Sequence, residues 1–339
     1  MPAIHLHRIL ARQLPHRLYA HEERRCRTRN DSLSSPCTSS SQAVLTETFA
    51  TMTLIENKLI PIFTRGVASA LLYGVEAEED FDIPSPTPSG LSRPFTSVFE
   101  AQEACHELRN ASILHLRNMG RKFLERNNPT IEGYRQQSNL LACHHTWWQN
   151  MKLLEQQIRL SKEEEVAVSA LKASLLCTFI HISCDAEVIE TAYDVHLERF
   201  KDIVHHGRLI IGSMVATSHA ARFTFDISII PHLYFVATRC RCPTTRREAV
   251  ALLARKPPRE GLWDAHQHVV VSNRAIEMEE SEVDPATGWP AEETRLWSCV
   301  ISAGMDHSGG FWATFLPARW VGVHDSKGRQ KMLEEFFVL

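Results

Sequence analysis

Two tetrapeptides, Ser97-x-x-Glu100 and Ser161-x-x-Glu164, stand directly before runs of apolar residues spaced three and four apart. In this pattern the serine hydroxyl accepts an amide N–H of the first helical turn, and the glutamate reaches back to the serine's own N–H. Each tetrapeptide therefore starts a helix and sets its direction. Behind the first, Cys105, Leu108, Ser112, Leu116, Met119 and Phe123 form one helical stripe, which Asn127-Asn128-Pro129 ends. Behind the second, Leu171, Leu175, Phe179 and Ile182 do the same. Asp185 is expected to cap a further helix with the stripe Ile189, Tyr193, Leu197, Phe200, Val204, Gly207 and Ile211. Its charged side, Glu190, Asp194, Glu198, Arg199, Lys201 and Asp202, reads as a solvated face.

Further along, Pro231 and Pro243 suit the first turn of two short helices, where a missing N–H costs nothing. Residues 262–280 carry the stripe Trp263, His266, Val270, Asn273 and Ile276 or Glu277. Upstream, residues 43–74 read as helical with a break at Pro61, because proline removes a backbone donor. The expected fold is mostly α, an irregular multi-helix bundle. Only residues 295–302 and 311–323 alternate as strands do, which leaves room for a small C-terminal β-hairpin.

Composition narrows the function classes. The 339 residues hold 37 Lys+Arg against 40 Asp+Glu, a net charge of −3, so the surface as a whole is no nucleic-acid footprint. No continuous apolar run approaches the ~20 residues of a membrane span. The best stretches, 174–184 and 227–237, contain His181 or His232 and read as buried helices. The nine cysteines are irregularly spaced and include no C-x-x-C, which removes the usual zinc-ribbon and redox signatures and fits a reducing compartment. Charge is uneven: residues 1–30 carry seven Arg and two Glu, and residues 31–42 contain six Ser. Residues 1–42 thus read as a basic disordered tail with a Ser-rich linker. A mitochondrial presequence in residues 1–20, or a nuclear-localisation or phosphate-contacting arm at Arg24 to Arg29, are the alternatives.

Few residue patterns carry chemistry. Trp263-Asp264-Ala265-His266-Gln267-His268 has the His-x-His spacing that lets two imidazoles share a metal on a strand, as in the opening of amidohydrolases. The flanking stripe is helical, however, and on a helix the two rings point about 200° apart. His144-His145 and His205-His206 are expected to contribute one core and one surface histidine per pair. In Cys240-Arg241-Cys242-Pro243, Cys240 is expected to pack and Cys242 to precede a helix. The basic residues Arg239, Arg241, Arg246, Arg247, Arg255, Lys256 and Arg259 suit phosphates, helix C-termini or acidic partners equally. Carboxylates are numerous, but none stands alone in an apolar stretch where burial would tune it for acid–base work. Phosphate loops, nucleophile elbows and H-E-x-x-H are absent from the sequence. The expectation is a chain that is no enzyme and uses no cofactor.

The run from Phe223 to Pro243, followed by Arg246 to Leu253 and Arg259 to Asp264, resembles the C-terminal half of the regulatory domain of fungal binuclear zinc-cluster transcription factors. The residues that carry the resemblance are Phe225, Ile230, Pro231, Tyr234, Phe235, Arg239, Cys240, Arg246, Arg247, Gly261, Trp263 and Asp264. Looser likeness extends over Leu59 to Arg65, Leu72 to Gly74 and Phe95 to Ala101. The resemblance implies an all-α regulatory domain over residues 43–325, shortened on its N-terminal side, with a C-terminal tail at 326–339. It also implies nuclear location, a homo- or hetero-partner transcription factor and, as for some members, a small-molecule effector.

The family's DNA-reading module needs six closely spaced cysteines holding two zincs, and such a site supplies about 10–16 kcal/mol of folding free energy to so small a module. Only Cys26 and Cys37 fall in the first 100 residues here. The expectation is a truncated or degenerate relative without its own zinc cluster, for which direct DNA binding and membrane association are not expected. Two other readings stand beside it: a metal-dependent hydrolase using His266 and His268, and a ligand-sensing helical module with Trp147, Trp148, Tyr234 and Phe235 around an effector.

Overall fold

The computed structural model describes Thr51 and residues 91–186, 188–216, 223–224, 228–302 and 309–339. The chain divides into two units, Met1–Asn57 and Lys58–Leu339. In the first, Thr51 alone is described, and it is helical. The basic tail, the Ser-rich linker and nearly all of the expected helix at 43–74 lie outside the described residues, as do Leu59 to Arg65, Leu72 to Gly74 and Phe225.

Within the second unit the chain runs through three long helices, α1 (Val98–Leu124), α2 (Ile131–Gln157) and α3 (Lys162–Cys184). A 3-10 turn at Glu190–His196 leads into α4 (Leu197–Ala216). Then come β1 (Phe223–Thr224), α5 (Ile230–Arg239), α6 (Pro243–Leu253), β2 (Arg259–Glu260) and α7 (Ala265–Glu279). Strands β3 (Leu296–Ile301), β4 (Gly310–Pro317) and β5 (Leu333–Val338) complete the order. The fold is mostly α with a small antiparallel sheet of order β3-β4-β5. β1 and β2 form a separate two-residue parallel pair.

Local chemistry explains the helix ends. Ser161 and Glu164 form the full reciprocal capping box of α3. At α1 the box is displaced by one residue. Ser97 Oγ accepts the Glu100 N–H at 3.2 Å, while the Glu100 carboxylate accepts the Thr96 N–H at 2.7 Å. Pro231 and Pro243 occupy first turns, as their fixed φ favours. Asp185 departs from expectation. It closes α3 instead of opening a helix, because its carboxylate is held by buried His115 at 2.8 Å and by the Gln137 amide at 2.6 Å.

Two apolar clusters form the core, and α3 stands between them. Val168, Leu171, Leu175 and Ile182 face α1 and α2, while Ala173, Leu176, Cys177 and Ile180 face α4 and α5. Among the described residues α3 is one helix long and apolar enough to cross a membrane by length and composition, which corrects the expectation from continuous runs. Its apolarity has a packing reason, since a helix that buries two opposite sides has little polar face left. In the first cluster Trp147 is fully buried and its indole N–H donates to Ala101 O at 2.9 Å, tying α2 to α1.

The residues expected as a tail, 326–339, include β5. Its residues pair with β4 from Gly310↔Val338 to Phe315↔Leu333. The hairpin read from sequence is therefore two of three strands. The third was hidden by its Glu334-Glu335 pair, which interrupts an apolar strand pattern.

Candidate functional site

Three residues of the basic cluster, Arg239, Arg241 and Arg246, come together where α5, α6 and α7 meet the 3-10 turn and β3. Arg241 and Arg246 are fully buried, and each sends a guanidinium nitrogen to Glu279, at 2.8 Å and 2.7 Å. Glu279 is itself fully buried, on the last turn of α7. Arg241 also meets Glu190 at 2.9 Å, and Arg239 donates to both oxygens of Glu190 at 2.8 and 2.7 Å. Three guanidinium groups thus share two carboxylates. The surplus charge faces backbone carbonyls: Arg246 donates to Ala237 O, Arg241 to Arg239 O and Leu296 O, and Arg239 to Trp297 O. Ala237 and Arg239 lie in the last turn of α5, where the helix dipole favours cations.

The electrostatics favour the charged forms of Glu279 and Arg239. Burial alone pushes Glu279 toward protonation, but the guanidinium groups of Arg241 and Arg246 outweigh it and hold its pKa below the ordinary value. Burial opposes the charge on Arg239, yet Glu190 more than restores it. The Tyr193 ring lies under Arg239 at 5.1 Å, adding a desolvated cation–π contact. Around this nucleus Arg295 grips Asp194 through two bonds of 2.7 and 2.8 Å, and the Glu292 carboxylate accepts the N–H groups of Glu190 and Thr191 that open the 3-10 turn.

These contacts decide between the readings open for the basic cluster. Arg239, Arg241 and Arg246 pair with carboxylates and cap a helix end, and are closed to phosphates. Arg247 is exposed and pairs with Glu280. Two expectations are corrected here. Glu190, assigned to a solvated face, is buried, and Asp194 is drawn onto Arg295. The buried face of α7 matches the stripe read from sequence only in part. It is Ala265, Gln267, His268, Val271, Ser272, Ala275, Ile276 and Glu279; of the stripe, Trp263 and Ile276 are buried and Val270 is half-buried, while His266 and Asn273 are exposed. Polar residues took the inner face because Glu279 has to meet two arginines there.

The second half of the motif is a capping device. Glu260 is fully buried, and its carboxylate accepts the N–H groups of Ser228, Ile229 and Ile230 at 2.9–3.2 Å, closing the start of α5. Burial raises its pKa to about 7 against the pull of those three donors. This corrects the expectation that no carboxylate stands alone in an apolar setting. Glu260 was missed because its surroundings come from a segment some 30 residues away. Gly261 follows at φ +58°, the left-handed region that glycine enters freely, so that Glu260 and Trp263 can exchange backbone hydrogen bonds of 3.0 and 2.9 Å. Asp264 then caps α7, accepting the N–H groups of His266 and Gln267.

Ile230, Pro231, Tyr234, Phe235, Cys240 and Trp263 are buried around this frame. The Tyr234 hydroxyl donates to Cys299 O at 2.9 Å, and burial pushes the Cys240 thiol up to about 12. Cys242 stands at the start of α6, as expected. His144 is buried and His145 exposed, as the pair reading has it.

The structure separates the two histidines of His-x-His. His266 is exposed. His268 is buried between Tyr234 and Trp263, with ring centroids 4.7 and 5.0 Å away and Nδ1 2.6 Å from Asp264 O. Among the described residues no three His, Cys, Asp or Glu side chains are grouped to hold a metal ion. Trp147, Tyr234 and Phe235 lie in the cores, and Trp148 is half-buried where the two clusters adjoin.

Over 51 residues, 15% of its length, the chain is 41% identical to the aspercryptin biosynthesis cluster-specific transcription regulator of Emericella nidulans. The match spans 8% of that relative. No family model matches the chain, and no solved structure does.

Proposed function

We propose that this chain is a transcription regulator of the fungal zinc-cluster type that acts through its helical regulatory body and without a zinc cluster of its own. The observation that carries the reading is the 41% identity to a fungal cluster-specific transcription regulator. The buried frame supports it in a second way. Its arginines, glutamates and tyrosines are committed to one another and to backbone groups, which suits a scaffold that transmits contacts better than one that turns over substrate. On this reading the protein works in the nucleus, with a partner transcription factor supplying the contact to DNA, and with a small-molecule effector as one means of control. Two cysteines in the first 100 residues cannot build a six-cysteine module.

Tethering tests the role directly. The full chain, fused to an unrelated DNA-binding module upstream of a reporter in a fungal cell, is expected to raise or lower transcription relative to the module alone. Unchanged output across several promoters would sink the proposal. Metal analysis of the purified chain tests the finer claim, since two tightly held zinc ions per chain would overturn the cluster-free reading.

A further inference from the structure

Cys240-Arg241-Cys242 joins α5 to α6, and its two thiols stand in contrasting surroundings. Of the seven cysteines among the described residues, five are buried and two, Cys143 and Cys242, are half-buried. Cys240 closes the end of α5 from inside the core, and Cys242 opens α6 where solvent reaches it. Both have extended backbones, with φ −81° and ψ 120° at Cys240 and φ −63° and ψ 115° at Cys242. In an extended chain, residues two apart share a face. The Cys242 N–H is turned to the Cys240 sulfur, so the two side chains are neighbours in space as well as in sequence. A step of two residues spans at most about 7 Å, which is within the Cα separation that a disulfide bridges.

The groups around Cys242 favour a thiolate. Its sulfur lies 3.3 Å from the Thr244 hydroxyl. The N–H groups of Thr244 and Thr245 and the Thr245 hydroxyl are turned toward the same sulfur. From α4 the Lys201 ammonium, itself paired with Glu198 at 2.7 Å, acts on the sulfurs of both Cys242 and Cys240. Burial pushes the Cys242 thiol up, but the polar groups of Thr244 and Thr245 outweigh it and hold the thiol below its ordinary value. At Cys143, which is also half-buried, burial raises the thiol instead. Cys240 stays protonated because burial dominates there, against the pull of nearby Arg246 and Arg241. A solvent-reached thiolate with a second thiol at hand is the arrangement of a redox-sensing cysteine.

We propose that Cys242 and Cys240 form a redox pair, oxidised by a hydroperoxide to a disulfide and restored by small thiols. The Cys242 thiolate attacks the terminal peroxide oxygen. The O–O bond breaks, the sulfur becomes a sulfenic acid, and the leaving alkoxide or hydroxide takes a proton from water. The Cys240 sulfur then attacks the Cys242 sulfur, the S–O bond breaks, and the departing hydroxide leaves as water with the Cys240 proton. Two molecules of a small thiol reverse the step by exchange and become a disulfide themselves. The residue enclosed by the new ring is Arg241, which holds Glu279 at 2.8 Å and Glu190 at 2.9 Å. Closing the ring draws Cys240 from its packed position and turns the backbone that aims this guanidinium. Oxidation is therefore expected to loosen the buried ion-pair frame.

Peptide mapping of the purified full chain tests this. With a limiting alkylating agent at neutral pH, Cys242 is expected to be labelled several-fold faster than Cys143. Lys201→Met and Thr244→Val are each expected to move the half-maximal reactivity of Cys242 to higher pH. After stoichiometric hydrogen peroxide, the peptide that holds both residues is expected to lose two hydrogens and both free thiols, and dithiothreitol to restore them. Cys240→Ser is expected to leave a sulfenic acid at Cys242 that dimedone traps, and Cys242→Ser to leave Cys240 unoxidised. Circular dichroism reports whether each variant keeps the fold, and the wild-type mapping stands without them. Equal labelling of Cys242 and Cys143 overturns the proposal. So does a wild-type peroxide product in which Cys242 is oxidised while Cys240 stays a thiol, or in which either is bridged to another cysteine.

Discussion

Arg241 and Glu279 meet at 2.8 Å with neither side chain exposed to solvent, although 38 residues separate them in sequence. Glu279 is the only carboxylate that touches both Arg241 and Arg246 among the described residues. Removing its charge leaves two guanidinium groups in a dry interior with too few anions. Glu279→Gln is therefore expected to destabilise the fold by about 3–5 kcal/mol. Glu280→Gln, whose partner Arg247 is exposed, is expected to cost less than about 1 kcal/mol. Urea denaturation of the two variants side by side checks the contrast, and equal losses would mean that burial is not what makes the Glu279 pairing matter.

Glu260 predicts a dependence on pH. Its folded-state pKa, near 7, lies above the ordinary carboxylate value of 4.5. The folded protein thus takes up a proton at this site between those two values, and the stability this brings is lost as pH rises from about 4.5 through 7. Glu260→Gln removes the titration while keeping one acceptor for the helix N–H groups. The advantage of the glutamine variant over wild type is expected to grow between pH 5 and pH 8 in denaturation experiments. A shrinking advantage would mean that the three N–H donors at the start of α5 outweigh burial.

The two histidines of His-x-His are expected to behave differently. His268→Ala removes a ring packed on Tyr234 and Trp263 and is expected to cost about 2–4 kcal/mol by the logic of large-to-small core substitution. His266→Ala is expected to stay within about 0.5 kcal/mol of wild type. A hydrolase that shared a metal between them would instead lose bound metal with either change, which metal analysis of both variants would detect.

Gly261→Ala forces a Cβ into the left-handed region and is expected to cost about 1–2 kcal/mol. Asp264→Ala removes the cap of α7 and is expected to cost about 0.5–2 kcal/mol, largely restored by Asp264→Asn. Thermal unfolding of the three variants ranks them, and a neutral Gly261→Ala would show that the Glu260–Trp263 turn tolerates another backbone path.

Short-range chemistry was open to reading. The Ser161–Glu164 box, the prolines at the starts of α5 and α6, the buried stripe of α1 and the division of His144 from His145 all depend on neighbours within about one helical turn, where geometry is repeated and predictable. The failures share a different origin. Glu190, Asp194, Glu260 and Glu279 look like surface carboxylates in their local sequence, and they are drawn inward, Asp194 to a half-buried place and the other three to full burial, through partners 49, 101, 30 and 38 residues away.

The amino-acid order alone determined that the chain is mostly helical and where several of its helices begin, at Ser97, Ser161, Pro231 and Pro243. The tertiary structure decided which charges go inside, which way α7 turns its face and that β5 joins the sheet. Hydrophobic periodicity counts apolar residues and so cannot register a face held by ion pairs. Those pairs exist only once distant segments have come together in a medium of low dielectric constant, where an opposite charge becomes the strongest partner at hand.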